Sequence, residues 1–425
     1  DIPISILPIC GSDLEEWMEN RGKNSLHMVE TNWDEIEEKI RKHRLKRLKR
    51  LAVIVGICLA AVIAYYVFMQ HKSYTDYTVR EEISRTDTPA THYVAYGEGF
   101  LKYSNDGVSY ENVNSDVIWN QSYEMENPMV SVCESYVAVA DRQGDKIFVL
   151  NEDGLQGEIT VSMPIARIDV AAQGTVAVLM EESGTGYLFL YNRGGELLAE
   201  GAIHVENGGT PMDIALSDNG ALLGVSILEI TDGTAGTTIN FYNFSAVGQN
   251  QIDNLVSSYT YSDTIIPELV YTSNGTMLAF ADNGVYTFTG NDTPKEGNQL
   301  TVDEEIQSVF FDDSYFGLVF TDSSADTGRV IRIYDLRCSE QTTIQTEFSY
   351  DSIGFLDNHE ICMSTANQCR IYTLGGLEKF AYEFEDEEIR GIFHDSGYRN
   401  YIILKEGVTE RARLKLFGKV TEDKG

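Results

Sequence analysis

Hydrophobic positions along the chain form one continuous run near the N-terminus and many short runs after it. The continuous run, residues 51–69, reads LAVIVGICLAAVIAYYVFM and contains no charged side chain. Nineteen helical residues extend about 28 Å, close to the hydrocarbon thickness of a bilayer. Tyr65 and Tyr66 lie near its end, where interfacial aromatic residues are typical. The pattern predicts a transmembrane helix. A buried core helix is unusual in a strand-rich chain, and the fifty preceding residues disfavour a cleaved signal peptide.

A basic run comes directly before this helix. Eight Lys and Arg side chains occur within residues 39–50, whereas the opposite flank carries little charge. The positive-inside rule therefore predicts that residues 1–50 are cytoplasmic and that residues 71–425 lie outside the cell membrane. The same basic residues are suited to binding anionic lipid headgroups next to the span.

The cytoplasmic segment has its own helical pattern. Trp33, Ile36 and Ile40 recur at helical spacing, so a helix that begins near Trp33 is predicted to run straight into the span. Residues 32–50 would then be a basic juxtamembrane helix. The preceding residues 1–31 contain several prolines and glycines and are predicted to be a disordered tail.

After a polar linker, the chain consists of short apolar runs separated by Gly and Asn turns. One unit recurs: an apolar run, a turn, a second run, another turn and an aromatic-rich third run. The third runs are the most alike, as in IFVLN, LFLYN, INFYN and IRIYD. Eight units are recognised by their opening positions, which are His92, Pro128, Pro164, Pro211, Pro267, Ile306, Ser352 and Ile389.

The spacing of these openings averages about 42 residues, and a period of about 40–45 residues with four short strands is typical of a β-propeller. We therefore predict an all-β fold, an eight-bladed propeller over residues 91–420, with seven blades as the alternative if the first unit is incomplete. The last unit shows three runs and lacks a fourth. Residues 77–83, within the predicted linker 70–90, are the candidate for the missing strand, and residues 421–425 would form a short tail.

The order of these features resembles a known family. A cytoplasmic arm, a basic run, one span and a propeller that opens GFLKYSNDGVSYENVNSDVIWN at Gly99 resemble the uncharacterised single-pass membrane propellers of clostridial Gram-positive bacteria. This resemblance implies a membrane-anchored extracytoplasmic propeller and brings no catalytic residues with it. The first unit is also similar to a quinoprotein repeat, in which a turn glycine is followed by a late tryptophan, here Gly107 and Trp119. Because one unit in eight has this tryptophan, the second resemblance bears on the fold and not on a cofactor.

Charge is unevenly distributed along the chain. The net charge is −34, from 66 acidic and 32 basic side chains. Residues 1–50 contain ten of each sign, so the acidic excess belongs to the predicted outer domain. Such a domain repels nucleic acids and favours cationic partners. Six cysteines in 425 residues are too few for a disulfide-built scaffold.

Motifs of catalysis and metal binding are absent from the sequence. It contains no G-x-x-x-x-G-K, G-x-S-x-G, H-E-x-x-H or C-x-x-C. No catalytic or cofactor-binding residue is therefore assigned, and the metal ligands are unknown. Cys362 and Cys369 flank a turn and could face each other across a hairpin, so a disulfide and two free thiols are both open.

Acidic clusters offer a candidate for Ca²⁺ through hard oxygen ligands, although solvated loops are the simpler interpretation in so acidic a chain. The two clusters are Asp312, Asp313, Asp322 and Asp326, and Glu383, Glu385, Asp386, Glu387 and Glu388. The outer histidines stand apart from other His and Cys residues and are interpreted as structural. They are His71, His92, His204, His359 and His394.

These observations predict a non-catalytic binding, scaffold or sensor module at the cell surface, with a protein or cell-envelope partner at one propeller face. The alternative is a propeller enzyme, quinone-dependent or glycan-acting, with its site in the central channel. Two or more acidic side chains converging with a His or Arg in the channel would favour the enzyme, whereas an apolar plug would exclude it. The 24 tyrosines suit partner binding, but the sequence singles out no contact residue.

Overall fold

The computed structural model describes residues 33–86, 88, 90–203, 209–322, 328–385 and 387–416. They form two compact units that divide after Gln70. The predicted tails, residues 1–31 and 421–425, lie outside the described residues. Each unit is described by itself below.

The first unit is one helix, α1 (Trp33–Gln70), of 38 residues. It confirms that the basic segment and the hydrophobic run form one continuous helix. Its part Glu37–Met69 is long and apolar enough to cross a membrane. Apolar side chains such as Ile54, Ile57 and Val62 are exposed on it, so the segment is apolar on all faces.

The second unit is an eight-bladed β-propeller in which every blade is a four-stranded antiparallel sheet. The strands of blades 1 to 4 are β2 (His92–Tyr96), β3 (Gly99–Ser104), β4 (Gly107–Asn112), β5 (Val117–Ser122), β6 (Pro128–Cys133), β7 (Tyr136–Asp141), β8 (Lys146–Asn151), β9 (Gly154–Thr160), β10 (Ile165–Val170), β11 (Val176–Glu182), β12 (Thr185–Tyr191), β13 (Leu197–Ile203), β14 (Thr210–Leu216), β15 (Leu222–Thr231), β16 (Thr234–Asn243) and β17 (Leu255–Ser262).

The strands of blades 5 to 8 complete the ring. They are β18 (Glu268–Tyr271), β19 (Met277–Ala281), β20 (Gly284–Thr289), β21 (Lys295–Thr301), β22 (Ile306–Phe311), β23 (Tyr315–Thr321), β24 (Arg329–Asp335), β25 (Glu340–Thr346), β26 (Ser352–Phe355), β27 (Ile361–Ser364), β28 (Gln368–Tyr372), β29 (Glu378–Glu383), β30 (Ile389–His394), β31 (Asn400–Lys405), β32 (Val408–Leu414) and β1 (Tyr77–Ser84). All eight predicted openings fall at or within one residue of the first strand of a blade, so eight blades are confirmed and seven are excluded.

The strand order places the first strand of each blade at the centre. First strands contact first strands of neighbouring blades, as β6 contacts β10 and β10 contacts β14. The fourth strands therefore lie at the rim. The second and third strands between them are buried on both faces, as in β7, whose first five residues are all buried. This double burial explains why apolar and polar residues alternate only partly along the sequence.

The hydrophobic core lies between adjacent blades. Between blades 2 and 3, Val149 of the one packs in the same cluster as Val178 and Met180 of the other, and all three are buried. Burying such a side chain contributes about 1.5–3 kcal/mol. Because each interface needs both blades, the ring must close before every blade has its full core.

Closure occurs in blade 8. The N-terminal strand β1 pairs antiparallel with β32, from Tyr77 opposite Leu414 to Ser84 opposite Val408. This confirms that residues 77–83 supply the missing outer strand. Both ends of the domain thus share one sheet.

A buried ionic cluster holds this closing sheet together. The Lys405 ammonium lies 2.5 Å from a Glu387 oxygen and 2.8 Å from Glu410 Oε1. The Tyr77 hydroxyl donates to the other Glu410 oxygen at 2.8 Å. Lys405 and Glu410 are both buried. The cluster therefore joins the first strand of the domain to its last hairpin.

A second cluster joins blade 7 to blade 8. The fully buried ammonium of Lys379 forms an ion pair with Glu360 and lies 3.7 Å from the ring centre of Tyr398. The Tyr401 hydroxyl of blade 8 donates to the second Glu360 oxygen at 2.5 Å. Burial lowers the pKa of Lys379, although Glu360 opposes this shift.

Candidate functional site

Partly buried carboxylates occur in the wall of the central channel, which the first strands form. Asp169 of β10 accepts hydrogen bonds from the Ser131 hydroxyl at 2.8 Å and from the Leu216 amide at 2.7 Å. Ser131 belongs to blade 2 and Leu216 to blade 4, so one carboxylate joins three blades. Asp213 of β14 acts similarly, because it accepts the Leu269 amide of blade 5 at 2.8 Å. These carboxylates hold neighbouring inner strands in register.

An arginine and a further carboxylate extend this polar patch. Arg167 Nε lies 3.5 Å from Asp213 Oδ1. Burial raises the pKa of Asp213 and of Glu268, and repulsion from Asp213 adds to the shift of Glu268. Two acids and an arginine thus converge, as expected for the enzyme alternative. However, the two Asp213 oxygens are engaged by a backbone amide and a guanidinium, which is the bonding of a structural contact.

Asp169 predicts a pH dependence of stability. Burial raises its pKa from 3.8 to about 6, although its hydrogen bonds oppose the shift. The folded protein therefore binds this proton more tightly than the unfolded chain does. The contribution of protonated Asp169 to the free energy of unfolding is fully present below pH 3.8. It is lost as the pH rises through the pKa of the folded state, about 6. We expect the unfolding temperature to fall across this window in the wild type, and to fall less steeply in Asp169→Asn.

The measurement is thermal unfolding of the full-length protein at a series of pH values. Only the slope is compared, because Asp169→Asn also places an amide group against the Leu216 amide. The exposed Asp145→Asn is the matched control and should keep the wild-type slope. An unchanged slope in Asp169→Asn would contradict this assignment.

The turns between first and second strands gather at one end of the channel, and several are acidic. Glu134, Asp218 and Asp313 come from the turns of blades 2, 4 and 6. Burial, followed by repulsion from Asp313, raises the pKa of Asp218. Burial and the Asp218 carboxylate raise the pKa of the neighbouring Cys133 thiol to about 12. This end of the channel therefore presents negative charge and a protonated thiol.

The histidines that the sequence analysis interprets as structural have different partners in the fold. His359 Nδ1 lies 2.6 Å from Asp312 Oδ2, which joins the turns of blades 7 and 6. His394 Nδ1 of blade 8 lies 3.0 Å from Asp357 Oδ1 of blade 7. His92 stacks on a tyrosine of its own blade. His71 lies before the propeller, and His204 lies outside the described residues.

The Ca²⁺ candidates are only partly described, because Asp326 and Asp386 lie outside the described residues. Asp312 Oδ1 already accepts the amides of Ser314 and Tyr315, each at 2.7 Å. Within the described part of the chain, no three His, Cys, Asp or Glu side chains are grouped so as to hold a metal ion. A calcium site remains a prediction from composition.

The disulfide alternative is wrong, because Cys362 and Cys369 are both free. In the pairing of β27 with β28, Cys362 lies opposite Ile371 and Cys369 lies opposite Ser364. The two cysteines are offset by two residues along the hairpin and do not face each other. Burial raises the pKa of Cys362 to about 12 and the pKa of Cys369 well above its ordinary value.

A cavity of about 420 Å³ lies between the first strands of blades 7 and 8. It exists partly because Gly354 lacks a side chain, and a Cβ added there would meet nothing within 4 Å. Glu388 and Arg390 line it and form an ion pair at 3.0 Å. These two charges are therefore balanced within the wall itself.

A crevice of about 230 Å³ between the outer parts of blades 3 and 4 has a different character. Its aliphatic and aromatic walls are formed by Leu188, Phe189, Leu190, Leu223, Tyr242 and Phe244. The charged residues that line it, Glu200 and Asp253, are both acidic. Gly201 of β13 leaves part of the space open, since an added Cβ would meet nothing within 4 Å.

An insertion in blade 4 forms one side of this crevice. Elsewhere, consecutive third and fourth strands are joined by at most five residues, whereas residues 244–254 contain two 3₁₀ turns, Gly248–Asn250 and Ile252–Asn254. Asp253 and Asn254 adopt left-handed φ angles of 53° and 59°, a conformation that Asp and Asn adopt more readily than most residues. The sequence signal for this insertion was the long interval between the openings of blades 4 and 5.

Similarity to solved structures supports the fold. The C-terminal WD40 domain of Sif2 is 10% identical and superposes with a TM-score of 0.54, over 81% of this chain and 100% of that domain. BamB from Moraxella catarrhalis is 12% identical, with a TM-score of 0.46 over 80% of this chain and 100% of that one. At such low identity, likeness concerns the fold alone.

Sequence comparison places the chain in a family. A search of curated proteins gave no match. The sequence profile of one family matches residues 70–414, which are the propeller together with its closing strand. Because the match spans most of the chain, the protein belongs to the family of unknown function DUF5711.

Proposed function

We propose that this protein is a non-catalytic binding module, anchored by one membrane span, that holds a protein partner in the crevice between blades 3 and 4. The crevice itself carries this proposal. It combines aromatic and aliphatic walls with acidic charges that have no basic residue among the lining residues to balance them. Apolar area with a few placed charges is the usual make-up of a recognition site.

Binding accounts for the inner polar residues better than catalysis does. A general base or nucleophile must be able to reach a substrate atom. Asp169 and Asp213 instead accept amides from the adjacent blades. An enzyme would need other groups in the channel, and the convergence of Arg167 with Asp213 and Glu268 is the observation that favours it.

The proposed location is the outer surface of the cell membrane. The basic run of α1 supports a cytoplasmic N-terminus, and the acidic excess lies after the span. The propeller would then face the cell envelope, either as a sensor that signals through residues 1–50 or as an assembly platform. A wall polymer of anionic character would be repelled by its charge.

One labelling experiment tests both location and binding. In Leu198→Cys, the new thiol lies at an exposed position, 54% accessible, beside the crevice. A membrane-impermeant maleimide with a photoreactive group should label it in intact cells and, on illumination, crosslink one discrete partner. Background should be low, because burial raises the pKa of Cys133 and Cys362 to about 12 and of Cys338 to about 11.

Two glycine substitutions provide a matched comparison. Gly201→Trp fills the crevice and should abolish crosslinking from position 198 at unchanged labelling. Gly354→Trp fills the cavity between blades 7 and 8 and should leave crosslinking intact. Neither glycine has a positive φ or a neighbour within 4 Å of an added Cβ. Crosslinking that persists in Gly201→Trp would refute the crevice as the site, and labelling only after permeabilisation would refute the orientation.

A further inference from the structure

The fourth strands at the rim carry an exposed apolar side chain at one equivalent position in blades 1 to 4. This position pairs with the third strand immediately after the irregularity in register between the two strands. It is occupied by Val117, Leu155, Leu197 and Leu255. All four side chains are exposed, by between 37% and 57%. We refer to these four residues as the apolar arc.

The same position is acidic on the other side of the ring. Blades 5 to 7 place Glu296, Glu340 and Glu378 there, and all three are exposed. The rim thus divides into an apolar part and an acidic part. Repeated apolar exposure at one register position is unusual in a soluble rim, where charged residues normally occupy such edges.

The outer turns of blades 2 and 3, next to two members of the apolar arc, each rest on the preceding blade. Gly154, next to Leu155, approaches the Trp119 ring of blade 1, with 3.7 Å between an added Cβ and the indole. Gly195 of blade 3 approaches the Glu158 carbonyl of blade 2 in the same way, at 3.0 Å. At its far end, the arc reaches the proposed crevice, whose lining includes residues one or two positions from Leu197 and Leu255.

An acidic side chain stands one or two residues before every member of the arc. These exposed residues are Asp116, Asp153, Glu196 and Asp253. The surface therefore alternates apolar side chains with negative charges along its length. A complementary partner needs apolar side chains flanked by positive charges.

We propose that the apolar arc binds a protein segment whose apolar side chains alternate with Lys and Arg. The inference rests on the proposed function, since it names the class of partner for the same side of the propeller. A second copy of this chain would bring an identical set of carboxylates and be repelled. An anionic membrane surface would be repelled for the same reason.

The test uses full-length protein in phosphatidylcholine nanodiscs and a fluorescent synthetic peptide of alternating Leu and Lys. The double variant Val117→Ser, Leu155→Ser should weaken peptide binding about tenfold or more, because it removes two aliphatic side chains that the bound peptide would cover. Added salt should weaken wild-type binding further. A peptide of alternating Leu and Glu, which has the same apolar content and the opposite charge, should not bind measurably.

Leu377→Ser is the matched control, because Leu377 is also exposed, by 43%, and lies beside Glu378 in the acidic part of the rim. It should leave peptide affinity unchanged. Equal binding of the Leu–Glu peptide, or an equal loss in Leu377→Ser, would overturn the inference. If the arc variants have no effect while Gly201→Trp still blocks crosslinking at position 198, the apolar arc is refuted as a binding surface and the crevice is still supported as the binding site. The reverse pattern would refute the crevice and support the arc.

Discussion

Replacing Glu360 with leucine is expected to lower the free energy of unfolding by about 3–5 kcal/mol. Lys379 is fully buried and forms its ion pair with this carboxylate. Without Glu360, the buried ammonium would lose its counter-charge, and the Tyr401 hydroxyl would lose its acceptor. Chemical or thermal unfolding of the full-length protein measures the loss.

The double variant Glu360→Leu, Lys379→Met tests whether the loss of stability in Glu360→Leu comes from leaving Lys379 as an unpaired buried charge. It removes both charges and keeps similar volume, so most of the lost stability should return. A double variant as unstable as Glu360→Leu alone would show that the pair is needed as such. In that case the cluster would act through its hydrogen bonds to Tyr401, and our account of Lys379 as the source of the effect would be wrong.

Replacing Lys405 with methionine should release the ring closure. Glu410 is buried with Lys405 and also accepts the Tyr77 hydroxyl, so loss of the ammonium leaves a buried carboxylate without its cation. The cost is again about 3–5 kcal/mol. If strand β1 detaches first, its amide protons should exchange at least about a hundredfold faster, because 1.4 kcal/mol corresponds to a factor of about ten.

Arg413→Met is the control for this experiment. Arg413 lies on the same strand, β32, but its side chain is exposed. It should change neither stability nor exchange appreciably. If amide protons of the whole propeller exchange faster to the same extent in Lys405→Met, the prediction is contradicted. Such a result would show that detachment of strand β1 and global unfolding are one event.

The ring architecture was predictable because strands and turns depend on residues close in sequence. Proline opens four units, at Pro128, Pro164, Pro211 and Pro267, and short apolar runs separated by Gly or Asn turns recur in the later units. The number of blades follows from counting these units. Closure by residues 77–83 was predictable because the last unit lacked a strand and an edge left open is unfavourable.

Contacts that depend on exact register were not predictable. Cys362 and Cys369 flank one turn, yet the pairing of the hairpin offsets them. The apolar arc was missed for a similar reason. Val117 and Leu255 resemble any other strand residues until the register between third and fourth strands shows that they share one exposed position.

The long apolar helix, the uneven charge and the eight blades can be read from the sequence alone, because hydrophobicity, charge and repeat length are properties of continuous segments. The identity of the buried charges and of the exposed apolar positions follows only from the tertiary structure. Glu360 pairs with Lys379 and accepts the Tyr401 hydroxyl of the next blade, and Glu410 accepts the hydroxyl of Tyr77, which lies 333 residues away in the sequence. Such contacts exist only after every blade has packed on its neighbours, since the free energy of burial depends on the closed ring and not on any one segment.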